Sequence, residues 1–254
     1  MRKLNLKETN FNLKIILVEP SGPLNVGSIA RLCSNFNVDQ LRIVSPKCDI
    51  YSLETKKMAL KGIKFIKESN IYESLIDSIS DCDLVLATCG RISYKKDHNQ
   101  DSLENISKWI RNFKELKNLA ILFGREDRGL TNRELLMAHK VFNINTHINF
   151  PSLNLSHAVS IVLYELSKIT KADNMLPKKD LDFATSKQIE DSFLEIEKLL
   201  IKTGYVLPHT LNAKISKFKK YIYRSETSKH ELDTLRGIVH QINWALDNLS
   251  LIHI

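Results

Sequence analysis

Short apolar runs of strand length alternate with helical patterns through the first two thirds of this chain. KIILVE (14–19) is closed by the turn sequence PSGP, and VGSIARLCSNF then places Val26, Ile29, Ala30 and Cys33 at helical spacing. LRIVSP (41–46), DLVLATCG (83–90), NLAILFG (118–124) and KVFNIN (140–145) are further strand candidates. LSHAVSIVLYELSKI (155–169) is a long amphipathic helix. Strands alternating with helices predict an α/β domain with a largely parallel sheet over residues 13–170.

The pattern changes after residue 170. KADNMLPKKDLDF is polar and lacks a period, so 171–186 reads as a linker. Three helical stretches follow, and 187–254 reads as an all-helical C-terminal extension; residues 1–12 read as a flexible N-terminal tail. On the middle helix Leu211, Ile215, Phe218 and Ile222 form an apolar face. Lys214, Lys217, Tyr221 and Arg224 form a neighbouring face, with Lys219 and Lys220 beside it and no acid between Glu197 and Glu226. Such a stripe is either a solvated polar face or a phosphate-binding face that releases counterions from RNA.

At 254 residues the chain can bury a full core without disulfide or metal staples. No apolar run approaches the length of about 18 residues that a transmembrane helix needs, and MRKLNLKETNFNLK lacks an apolar signal core, so a cytoplasmic protein is expected. Cys33, Cys48, Cys82 and Cys89 form no CxxC pair, which excludes zinc-ribbon and thioredoxin readings and leaves reduced thiols. A net charge of +8 favours a polyanionic partner.

Ligands of open α/β sheets bind at loops leaving the carboxyl ends of strands, and three such loops are chemically rich here. EPSGPLNVGSIAR has Gly22 and Gly27 at P-loop spacing, but Ser28 and Ile29 follow where a Walker motif needs Lys and Ser/Thr. Asn25 is a candidate cap there, and Arg31 lies further along the helix. The loop is either an anion site with an Arg donor or a cap with a surface Arg. FGREDRGLTNREL crowds Arg125, Glu126, Asp127 and Arg128 behind Gly124, and Thr131 with Glu134 forms a capping box. INFPSLNLSHAV sets Ser152, Asn154 and Ser156 at a helix start, where they act as redundant caps or hold a polar ligand. No GxGxxG, Ser/His/Asp triad or HExxH motif is present.

Taken in order, PLNVGSIAR, LFGREDRGLTNREL and INFPSLNLSHAVSIVLYEL resemble the three signature motifs of the SPOUT superfamily, in its SpoU/TrmH branch of RNA 2′-O-methyltransferases. LLIKTGYVLPHT, ISKFKKYIYRS and ELDTLRGIVHQI resemble the helical extension of TrmJ-type tRNA (cytidine/uridine-2′-O)-methyltransferases, which modify nucleotide 32 of the anticodon loop. The resemblance implies an α/β fold with a C-terminal trefoil knot, homodimers, an RNA site across the subunit boundary and S-adenosylmethionine as methyl donor. No metal, DNA or membrane partner is expected.

By motif position, the resemblance assigns the donor pocket to Thr88, Cys89, Gly90, Gly124, Ile144, Pro151, Ser152 and Leu153. It assigns the catalytic cluster to Asn25, Arg31, Glu126, Ser152 and Asn154. Arg31 is the central residue, polarising and placing the ribose hydroxyl rather than acting as a base, because an Arg pKa lies above about 12. Arg31, Lys214, Lys217, Lys220 and Arg224 are the expected RNA contacts. The alternatives are a ribosomal RNA methyltransferase, which the core motifs do not separate from a tRNA enzyme, and a non-catalytic RNA-binding protein of the same fold.

Overall fold

The computed structural model describes residues 11–90, 101–113, 116–147, 149–168, 183–225 and 227–249. They fall into two compact units divided between residues 181 and 182.

The first unit is built on β1 (Asn12–Val18), β2 (Gln40–Val44), β3 (Asn70–Tyr72), β4 (Leu84–Thr88), β5 (Asp101–Ser102), β6 (Asn118–Phe123) and β7 (Lys140–Asn143). All are parallel, in the order β3-β2-β1-β6-β4-β7-β5. The helices are α1 (Pro23–Phe36), α2 (Leu53–Ala59), α3 (Ile63–Lys67), α4 (Leu75–Ile79), α5 (Leu103–Ile110), α6 (Asn132–Leu135) and α7 (Leu155–Leu166), with a 3-10 turn at Leu60–Gly62. The centres of β1 and β6 are buried on both faces, Leu13 to Val18 and Leu119 to Phe123, and apolar except for Lys14, which pairs with Asp81 at 2.6 Å.

Strand order positions the site. Leu17 pairs with Phe123, Ala87 with Leu122, and Thr88 with Phe142, so β1, β6, β4 and β7 end side by side. Their exit loops therefore share one edge of the sheet. The chain also changes direction here: β1 to β3 run outward one way, whereas β6 returns to lie between β1 and β4. Such a switch point leaves a crevice outside the strand ends.

The five strand candidates form, as does the long helix. The short strands β3 and β5 appear in addition. Residues 183–186, read from sequence as linker, are packed: Phe183 bridges Ser228, Ala184 and Ser186 are buried, and Thr185 caps the next helix. Residues 1–10 and 169–182, which hold most of the expected tail and linker, lie outside the described residues.

The second unit contains α8 (Ser186–Lys202), α9 (Leu211–Arg224) and α10 (Lys229–Leu249). Phe193, Ile196, Leu199, Ile215, Tyr223, Leu232 and Val239 make its core. The expected apolar face of α9 packs inward through Ile215, with Leu211 and Ile222 partly buried beside it, and it extends round the helix to Tyr223. Tyr223 is buried and donates to Glu190 over 3.1 Å, whereas Phe218 is at the margin, edge-on to Phe193 at 5.4 Å. Lys219, beside the expected basic face, pairs with Glu190 at 2.7 Å. The Tyr223 ring packs into the core while its hydroxyl reaches the half-buried Glu190 carboxylate.

Candidate active site

Gly22, not Asn25, caps α1, and Pro23 occupies the first helical position. Pro fits there because its missing N–H is one the helix would leave unpaired. Asn25 is thereby freed from capping. Its Nδ2 donates to Glu126 Oε1 over 3.2 Å. The same carboxylate accepts from the Ser21 and Gly22 backbone N–H groups at 3.1 and 3.0 Å and from Ser21 Oγ at 3.0 Å. Burial pushes the Glu126 pKa up, but these donors outweigh it and the net shift is downward, so Glu126 is ionised near neutral pH and only accepts.

Asn154 continues the chain of contacts. It caps α7, accepting at Oδ1 from the backbone N–H of Ser156 and His157 at 2.9 and 3.4 Å, and its Nδ2 donates to Asn25 Oδ1 at 3.0 Å. One side chain from each of the three motifs is thus joined in a single directed network, Glu126 to Asn25 to Asn154.

A buried ion cluster braces the second loop. Arg125 donates to both oxygens of Glu134 at 2.9 Å and, through Nε, to Glu19 at 2.8 Å. The Arg125 bond holds Glu19 below the usual carboxylate range, and Arg125 itself is raised, chiefly by Glu134. Burial raises the Glu134 pKa, but Arg125 and the Thr131 N–H outweigh it and lower the net value. Glu19 adopts φ 47°, an uncommon backbone conformation for a non-glycine residue, directly at the exit of β1. Thr131 and Glu134 form the expected capping box of α6. Arg125 therefore braces the loop while also lining the cavity.

Between the loops lies a cavity of about 640 Å³. Thr88, Cys89, Gly90, Gly124, Ile144, Pro151, Ser152 and Leu153 all line it, and so do Glu126, Asp127 and Arg128. The size suits a ligand the size of a nucleoside. Gly124 is required by close approach: a Cβ there would stand 2.2 Å from the Gly129 carbonyl carbon. Thr146 Oγ1 donates to the Pro151 carbonyl at 3.1 Å, tying the two ends of the third loop together. Ser152 is exposed and makes no hydrogen bond among the described residues.

Arg31 stands apart from this network. It is exposed on α1, six residues beyond Asn25, and does not line the cavity. It shares a helical face with Leu24, which is exposed, whereas Asn25 faces Glu126. Lys214 and Lys217 are exposed on α9, in the other unit; the side chains of Lys220 and Arg224 lie outside the described residues. Ser21, which braces Glu126, was not readable from sequence, and nothing short of the folded loop signals it.

Sheet order and a cavity made by strand-end loops define a SPOUT-type α/β methyltransferase fold. The family model of the SpoU rRNA methylase family matches residues 12–164, and the chain belongs to that family. The tRNA (cytidine-2′-O-)-methyltransferase TrmJ of Sulfolobus acidocaldarius is 36% identical over 208 residues, covering 76% of this chain and 86% of that protein. The TrmJ protein of Methanocaldococcus jannaschii, of the same described activity, is 32% identical over 88% of this chain and 96% of its own. The crystal structure of TrmJ from Z. mobilis ZM4 superposes with a TM-score of 0.77 at 26% identity, covering 91% of this chain and 98% of that one.

Proposed function

We propose that this protein methylates a ribose 2′-hydroxyl of tRNA, at cytidine or uridine 32 of the anticodon loop, with S-adenosylmethionine as donor. The convergence of all three motifs on one cavity, joined by the Glu126–Asn25–Asn154 network, carries the reading. The TrmJ relatives match through the helical unit as well as the sheet unit, which favours tRNA over ribosomal RNA.

The cavity fits the donor. Ile144, Pro151, Leu153 and Leu155 offer apolar walls to an adenine, the backbone of Thr88 to Gly90 offers hydrogen bonds, and Glu126 and Asp127 place negative charge near a cation. When bound, S-adenosylmethionine supplies an already activated methyl group. The protein must then position the hydroxyl in line and stabilise its developing charge.

Asn25 and Asn154 each keep an amide N–H beyond their mutual bond, and Ser152 keeps its hydroxyl, so the three can hold a ribose. Arg31 supplies the planar cation that polarises the hydroxyl. Its exposure and its absence from the cavity lining support a homodimer in which Arg31 serves the partner's site. Leu24 on α1 and Ile161 and Tyr164 on α7 are exposed apolar groups on two helices that pack together, a face suited to a second copy. The insertion of β6 and β7 between earlier strands supports a trefoil knot formed by the third loop. A cytoplasmic location follows from the tRNA substrate.

The test is methyl transfer to unmodified tRNA and to ribosomal RNA in parallel. Product in tRNA is expected; product in ribosomal RNA alone overturns the substrate. Mixing Arg31→Ala with Asn154→Ala tests the shared site. Subunit exchange should regain activity that neither variant has, and persistent inactivity of the exchanged dimers would contradict it.

A further inference from the structure

We infer that α9 and the turn before it form a stacking platform for unpaired RNA bases, with Tyr205 and Tyr221 as its two rings. The inference rests on the tRNA reading above and deepens it by naming the single-stranded loop, rather than the duplex stem, as what this unit grips.

Tyr221 and Tyr205 are 68% and 66% exposed, whereas Tyr223, two residues along the same helix, is 2% exposed and serves the core. Helical phase explains Tyr223 but gives Tyr221 no packing role. Lys214 lies between the two rings. Its Nζ stands 4.7 Å from the Tyr205 ring centroid and donates to the Tyr205 carbonyl at 3.1 Å, so it orients that ring at the surface. Lys214, Lys217 and Tyr221 follow at spacings of three and four, which places them on one helical face. All three are exposed.

The result is an ordered stripe, Tyr205–Lys214–Lys217–Tyr221. From Lys214 to Tyr221 it rises about 10 Å, close to three stacked nucleotides at about 3.4 Å each. No acid interrupts the sequence between Glu197 and Glu226, so nothing on this segment repels phosphate. Cations alone would suit any RNA backbone. Exposed aromatic rings at both ends of a cationic stripe suit bases that have left a helix, because a paired base does not offer its face.

The experiment measures binding of the full chain to an unmodified anticodon stem-loop RNA and to the same stem as a closed duplex, across a salt series. Tyr205→Ala and Tyr221→Ala should each weaken stem-loop binding about 5- to 100-fold and leave duplex binding and the salt slope unchanged. Tyr221→Trp should restore affinity. Lys217→Ala should instead lower the salt slope for both RNAs. Circular dichroism should show the tyrosine variants folded, since both side chains are exposed. Unchanged stem-loop binding, or equal losses on stem-loop and duplex, would overturn the platform while the tRNA reading stands. A wild-type chain that bound no tRNA would overturn both.

Discussion

Asn154 donates from Nδ2 to Oδ1 of Asn25 over 3.0 Å and so ties the start of α7 to the first turn of α1. The same side chain caps α7 through its Oδ1. These two jobs separate by substitution. Asn154→Ala should lose about 1 kcal/mol of stability with the cap, and turnover as well. Asn154→Asp should recover the stability, because a carboxylate caps a helix, yet remain inactive, because it cannot donate to Asn25. Urea denaturation beside methyl-transfer rates distinguishes them; an active Asn154→Asp would contradict the network's role.

Glu126 makes a pH prediction with a definite sign. Its folded pKa lies below the ordinary 4.5, so its contribution is fully present above that value and is lost as pH falls through the folded pKa. Glu19 and Glu134 titrate in the same direction, so the difference between wild type and Glu126→Gln isolates this residue. The gap in Tm should be largest near neutral pH and shrink below about 4.5. A gap that is constant with pH would exclude an ionised carboxylate at this position.

Two arginines should behave oppositely. Arg125 is buried against Glu134 and Glu19, so Arg125→Ala strands two carboxylates and should cost about 3 kcal/mol or more. Arg31 is exposed and unpaired among the described residues, so Arg31→Ala should change stability by less than about 0.5 kcal/mol. Turnover should nonetheless collapse, and Arg31→Lys should not rescue it, since Lys lacks the planar fork. Thermal melts and initial rates on the same preparations check both statements.

Gly124 and Gly129 test the second loop. Gly124→Ala drives a methyl into the Gly129 and Leu130 backbone and should destabilise by about 1–3 kcal/mol or more, with loss of donor binding. Gly129→Ala meets no atom within 4 Å and only strains a φ of +68°, so about 1–2 kcal/mol is expected. Calorimetric titration with S-adenosylmethionine, after melts confirm folding, reads the difference.

Much of this fold was legible because the buried strands are continuous apolar runs, as in KIILVE and NLAILFG. β3 and β5 were not, because three- and two-residue strands carry too little pattern and are held by single neighbours. The residues of the cavity were legible only as motif positions; that they meet follows from the return of β6 and β7 into the sheet, a long-range fact. Asn25 looked like a cap because local rules favour Asn there. The Pro23 that follows Gly22 settles the helix start three residues earlier, and the distant Glu126 accepts from the amide. The bonds of Tyr223 and Lys219 to Glu190 were hidden for the same kind of reason, since their partner lies on another helix.

The central claim is that this cavity and its amide network direct a methyl group to one ribose. Nucleoside mass spectrometry of the anticodon-loop fragment, after reaction of unmodified tRNA with S-adenosylmethionine, tests it most directly. The expected product is 2′-O-methylcytidine or 2′-O-methyluridine at nucleotide 32, absent with Arg31→Ala. Methylation of a base, of another nucleotide, or of no tRNA while the donor still binds would contradict it.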